Sequence, residues 1–199
     1  MLRGLVLMCV WTVSSGCAIT TAYVDLPFVS VNESGHGPAL ELGEVRDARE
    51  HTARIGMKKN GYAMDTADVV LGDKNLAGWL RKRLAFELRN AGLGVSEADE
   101  MRGARPVVNV DLEFLFIEPV VQWWTIDFEA DTGMRVVVDL PDGRQLQRSY
   151  YEKAVHKKSI GGDRSYQVAF DACMDRIMTR IAQDLTDLLT ETSAKREQG

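Results

Sequence analysis

Cysteine is scarce in this chain and badly placed for bridging. Of the three, Cys9 and Cys17 fall in the N-terminal segment, which leaves Cys173 alone in the rest of the chain. One cysteine closes no internal disulfide, so a folded domain here must be held by packing, even in an oxidising compartment. Histidine is as thin: His36, His51 and His156 are far apart. Only Asp47, Glu50 and His51 cluster, and that spacing matches no standard metal pattern, so no metal site is expected. Cys173 has no histidine near it in sequence and falls on an apolar stripe, so it reads as a small buried hydrophobe rather than an activated nucleophile. Glycine-rich phosphate loops, Gly-x-Ser-x-Gly and carboxylate pairs on an apolar helical stripe are all missing. The expectation is a protein without catalytic residues and without a cofactor. An excess of positive charge is missing too. The net charge of −5 gives no global reason to bind nucleic acid. Nor is there an apolar run of the ~20 residues that a spanning helix requires.

The one sustained apolar run is short and N-terminal. Met1-Leu2-Arg3 leads into Gly4 to Val13, followed by Ser14-Ser15-Gly16-Cys17. A basic start, a short apolar stretch and small residues before a cysteine predict a signal peptide over 1–16, with Cys17 acylated. Ordinary secretory cleavage, with Cys17 a bystander, is the competing reading, because Ser14 stands where such motifs more often carry Leu. Ala18 in place of Asp resembles bacterial lipoproteins sent to the outer membrane. The expected address is therefore the bacterial outer membrane, lipid-anchored and facing the periplasm, with the covalent lipid as the only added group. Loss of 1–16 removes Arg3 and no acid, which leaves the mature chain more acidic still.

Residues 17–39 read as the lipidated cysteine and a tether, of which Tyr23 to Val31 is apolar enough to dock as an edge strand. Residues 40–192 read as a single domain and 193–199 as a polar tail. A strand is expected from Leu40 to Arg46, and Asn60-Gly61 marks a hairpin turn. A helix is expected over 74–91, with Asp73 as N-cap and Gly92 as left-handed cap. A second runs over 164–189, capped by Asp163, with Phe170, Cys173, Met174, Ile177, Ile181, Leu185 and Leu188 at helical spacing. Between them, strands are expected at Val108–Phe116, Val120–Glu129, Met134–Leu140 and Gln145–Val155. The turns would be Glu118-Pro119, Asp131-Thr132-Gly133 and Pro141-Asp142-Gly143. This predicts an α+β two-layer sandwich, an antiparallel meander sheet with two long amphipathic helices on one face.

Asp47-Ala48-Arg49, then Ile55-Gly56-Met57-Lys58-Lys59-Asn60-Gly61-Tyr62, then a helix ending Ala91-Gly92 resemble the YajG-type family of bacterial lipoproteins. The resemblance extends over roughly 40–190 and is specific in the hairpin–helix part. It implies the fold and an envelope address, and it carries no catalytic residue.

Two surfaces invite a partner. If Val110, Leu112, Phe114 and Phe116 face the core, alternation puts Leu115, Ile117, Val121 and Trp123 together on the opposite face. Such a patch reads either as a protein-binding surface or as a face covered by the chain itself. Arg54, Lys58 and Lys59 form a weaker, basic candidate for an anionic contact. The expected function is a non-catalytic, membrane-anchored binding or adaptor module for an envelope protein partner. The alternative is a periplasmic lipid or small-molecule binder with a pocket between helices and sheet.

Overall fold

The computed structural model describes residues 20–30, 37–73, 75–97, 105–159 and 162–197, with side chains of the last helix to residue 192. The expected signal peptide and Cys17 lie outside the described residues, as does His36. Eight strands and two helices follow in the order β1 (Ala22–Val24), β2 (Ala39–Asp47), β3 (Gly56–Lys59), β4 (Asp65–Leu71), α1 (Leu76–Asn90), β5 (Gly94–Glu97), β6 (Val107–Val121), β7 (Ile126–Asp139), β8 (Gln145–Lys158) and α2 (Asp163–Glu197).

The long strands β6, β7 and β8 form the expected antiparallel meander. The sheet as a whole is mixed, however, and this corrects the all-antiparallel expectation. β2 runs parallel to β6 and to β5, β3 meets β6 in parallel at Gly56–Ile117, and β1 runs parallel to β4. The free edge of β6 is thus shared: β2 covers its first half and β3 joins beyond it. The sheet also curls. α2 packs on β6, β7 and β8 and again on β1, at the opposite end of the strand order. A flat two-layer sandwich would not bring both ends of the sheet onto one helix.

β6 and β7 each run straight through a predicted turn. Pro119 is tolerated because the N–H of Ile117, two residues earlier, points to Ile55 O on the β3 side. The donor Pro119 lacks faces that same side, where β3 makes no further pair. Asp131-Thr132-Gly133 reads as a turn in sequence but lies inside β7, with Thr132 fully buried. Gly133 faces Phe114, at a register shift between Leu112 and Phe114. That β-bulge at Glu113 decides which side chains are inside. It changes the parity of β6, so that Leu115 and Ile117 are buried while Phe114 turns outward.

α1 begins two residues later than expected. Its N-cap is Asn75, whose side chain accepts from Gly78 N at 3.0 Å, while Asp73 accepts from Asn75 N. Gly92 ends it as predicted, with a φ of 91° and Leu93 N bonded to Leu88 O. Arg81 reaches from α1 to the carbonyls of Leu42 and Gly43, where β2 bulges away from β6. α2 is longer than expected, continuing to Glu197. Its stripe Phe170, Cys173, Met174, Ile177, Ile181 and Leu185 is buried, with Leu189 rather than Leu188 closing it.

The segment expected as tether is partly built into the fold. Ala22 and Val24 are fully buried in β1, and Gly72 N donates to Val24 O at 2.9 Å. Gln167 of α2 clasps Asp25 from both sides, accepting from its N–H at 2.7 Å and donating to its carbonyl at 3.0 Å.

On the outer face, Asp111 carries an ion network. Arg46 binds both its oxygens, at 2.7 and 3.0 Å, and Arg135 adds a third contact at 2.8 Å. Hydrogen bonding to Arg46 foremost, with Arg135, holds its carboxyl below the ordinary carboxylate value against the cost of its burial. A depressed folded-state pKa gives stability that is present above the unfolded value and lost as pH falls through the folded one. The wild type is therefore expected to lose this contribution below about pH 4. Asp111→Asn should be less stable at neutral pH by about 1–2 kcal/mol and flatter across that acid window, by urea melts at stepped pH.

Candidate functional site

Two hairpin tips and a cleft between them make up the most distinctive surface. β6 and β7 are joined by Gln122 to Thr125, closed by Gln122 N to Thr125 O at 2.8 Å. Trp123 and Trp124 occupy the centre of this turn, where side chains project past the strand ends and no sheet face can cover them. They are 85% and 81% exposed and pack edge to face with ring centroids 5.8 Å apart. The second tip joins β3 to β4. Asn60 organises it, its side chain accepting from Tyr62 N and Met64 N and its backbone pairing with Met64 and Ala63. The left-handed residue is Ala63, at φ 59°, rather than Gly61, so the hairpin is as predicted but its two-residue turn is not. Tyr62 and Met64 are exposed at this tip.

Both tips point the same way because β3 and β6 are parallel. Between them lies a cleft of about 240 Å³, bordered by Asn60 and Gly61, by Val121 and Ile126, and by Tyr166 at the start of α2. Its floor is Phe128 packed edge to face on Tyr166, centroids 4.9 Å apart. Burial pushes the Tyr166 hydroxyl well above the usual phenol range, so it stays neutral. A larger hollow of about 650 Å³ lies between β1, β4 and the loop after β2, beside Arg49. There Arg49 and Asp47 form a buried bidentate pair, both contacts 2.7 Å, and Arg49 also donates to Arg54 O. The Asp-x-Arg motif is thus a structural clasp on the turn into β3.

The predicted patch does not assemble as drawn. Leu115 and Ile117 are core residues, 4% and 0% exposed, because the bulge at Glu113 reverses the alternation on which their exposure rested. Val121, at the cleft rim, and Trp123 remain accessible. Trp124, outside the predicted patch, is the residue the sequence reading missed, and the signal lay in two adjacent tryptophans between the strands. The basic candidate is neutralised. Arg54 pairs with Asp68 at 3.3 Å, Lys58 with Asp163 at 2.9 Å, and Lys59 with Glu118. Among the described residues no group of His, Cys, Asp and Glu is placed to hold a metal ion, and no helix is long and apolar enough to cross a membrane.

Cys173 is fully buried, its thiol donating to Glu152 O at 3.4 Å, and burial pushes its pKa up. A neutral thiol without access to reagent is inert. Maleimide should leave Cys173 unmodified in the native protein and label it after denaturation, by mass spectrometry; rapid native labelling would contradict this packing.

No protein-family model and no curated protein matches the chain. Solved structures resemble it in fold. Protein XCC0632 from Xanthomonas campestris, assigned to DUF330, has a TM-score of 0.55 at 8% identity, covering 88% of this chain and 99% of its own. An uncharacterized protein has a TM-score of 0.51 at 15% identity, covering 83% and 99%. Bacterial lipoproteins are among the looser neighbours. The rare lipoprotein B from Shewanella oneidensis has a TM-score of 0.43 at 12% identity, covering 59% and 89%, a likeness too loose to carry an argument. At these identities the two structures with a TM-score above 0.5 establish a shared fold and nothing about activity.

Proposed function

We propose that this protein is a lipid-anchored, non-catalytic binding module of the bacterial cell envelope, working through the end that carries Trp123 and Trp124. The observation behind this reading is the tryptophan pair itself. The fold has a complete apolar core, and yet its two largest side chains of one hairpin stand in solvent. Exposed, adjacent aromatics are costly to solubility and are the residues most enriched where surfaces meet. The N-terminal motif ending in Cys17 supplies the anchor, and the YajG-type resemblance fits an envelope address. The outer membrane follows from Ala18.

The ligand-binding alternative rests on the cleft beneath the tips. Pockets that enclose a whole small molecule run from about 300 to 1,000 Å³. At about 240 Å³ this one suits a single inserted group, such as one side chain or a chain end, rather than an enclosed amphiphile. At the tryptophan end the observations favour a contact surface over a carrier.

A photo-crosslinking residue placed at position 124, and in a second variant at Arg144 in the turn at the opposite end, tests this. Envelope adducts are expected from 124 and far fewer from 144 in intact cells. Equal yields from both ends, or none from 124, would remove the hairpin end from the account.

A further inference from the structure

The strand register places the N-terminal entry to β1 and the tryptophans at one end of the molecule. Ala22 of β1 pairs with Val69 of β4, Val69 with Gly56 of β3, and Gly56 with Ile117 of β6. These four residues form one line across the sheet. From that line, β3 and β6 run toward the two tips, while β1 enters from the same side, since it is parallel to β4 and therefore antiparallel to β3. Cys17 is five residues before Ala22. Five residues reach at most about 17 Å, even fully extended. The tips rise from the same line by three strand residues on β3 and four on β6, at about 3.3 Å each, plus their turns. Because Ala22 is buried in the sheet and Asp25 is clasped by Gln167, β1 is a fixed point of departure. An acyl group on Cys17 would thus hold the bilayer surface at about the height of Trp123, Trp124 and Tyr62.

We infer that the two hairpin tips are seated in the bilayer interface, with Trp123 and Trp124 as the penetrating residues and Tyr62 and Met64 beside them. The occupant of this surface is the lipid headgroup–acyl boundary of the membrane that carries the anchor. Tryptophan and tyrosine are the side chains that concentrate there, with an apolar ring and a polar N–H or O–H. The charge at this end agrees with aromatic rather than electrostatic docking. Lys58 meets Asp163, Lys59 meets Glu118, and Lys157 meets Asp127 at 3.3 Å, so these cations arrive already paired. The inference rests on the acylation of Cys17, and it names the bilayer as the partner of the tryptophan end.

The lipidated protein, purified from membranes and reconstituted into phosphatidylcholine vesicles with acyl chains brominated near the carbonyl, provides the test. The predicted mature chain has three tryptophans, and Trp79 lies on α1, packed against Phe170. About half of the emission should be quenched, an interfacial depth being where aromatic belts sit. The variant W123F/W124F, which keeps the tip aromatic but leaves only Trp79, should be quenched little. Quenching should persist in molar salt. Protein that floats with the vesicles but shows no quenching, or quenching that salt abolishes, overturns the seated tips and leaves the anchor standing. Protein that does not float with the vesicles overturns both.

Discussion

Cys17→Ser is expected to move the protein from the membrane pellet to the soluble fraction in molar salt, by more than about tenfold, because each buried methylene of a lost acyl chain contributes about 0.8 kcal/mol. One chain gives marginal, reversible binding and two give stable anchoring, so removing the acylated residue removes almost all of the retention. The tryptophan tips cannot compensate: two side chains at an interface orient a protein that is already held there. The described residues contain no helix able to substitute as an anchor. Western blotting of pellet and supernatant decides the matter. Equal retention of the serine variant would show that Cys17 carries no anchor.

Gly56→Ala is expected to cost the fold about 2–3 kcal/mol, at the upper end of ordinary single substitutions. A Cβ there would overlap the carbonyl of Ile117, 2.9 Å from its carbon, and the backbone of a fully buried residue cannot easily step aside. The Gly56–Ile117 contact is the only strand pair between β3 and β6, supported by Ile117 N donating to Ile55 O at 2.7 Å. Pushing it open loosens the β3–β4 hairpin from the β6–β7 tip and so parts the two halves of the tryptophan end. Urea melts should show the loss of stability, and amide exchange should show it concentrated in β3 and β4. A variant as stable as the wild type, with unchanged exchange there, would contradict the close approach. Ile55-Gly56, read in the sequence as part of a family resemblance, is thus a steric requirement of the sheet.

Local signals were legible where the chain obeys local rules. The apolar stripes of α1 and α2 follow from the 3.6-residue spacing, and the end of α1 from Gly92, whereas the N-cap expected at Asp73 belongs to Asn75 and Asp163 lies inside the first turn of α2. The period-two alternation of Val108 to Leu112 gave its strand and inner face correctly. Alternation failed one residue later, because a bulge adds a residue without leaving a sequence signature, and Phe114, Leu115 and Ile117 changed face. Asp131-Thr132-Gly133 carries turn chemistry, yet Gly133 is there to lie against Phe114 at that bulge. The parallel joins of β1, β2 and β3 depend on pairings between distant segments, which no local pattern encodes. Of the candidate site, Trp123 was legible as exposed, although for the wrong reason. Its position in a four-residue turn, rather than its strand face, puts it in solvent, and the same turn exposes Trp124.

The most direct test of the central claim is the intact mass of the mature protein extracted from membranes. The account predicts a chain that begins at Cys17 and carries additional mass equal to a diacylglyceryl group, with or without a further acyl chain. An unmodified chain, or one that begins at any other residue, would contradict it.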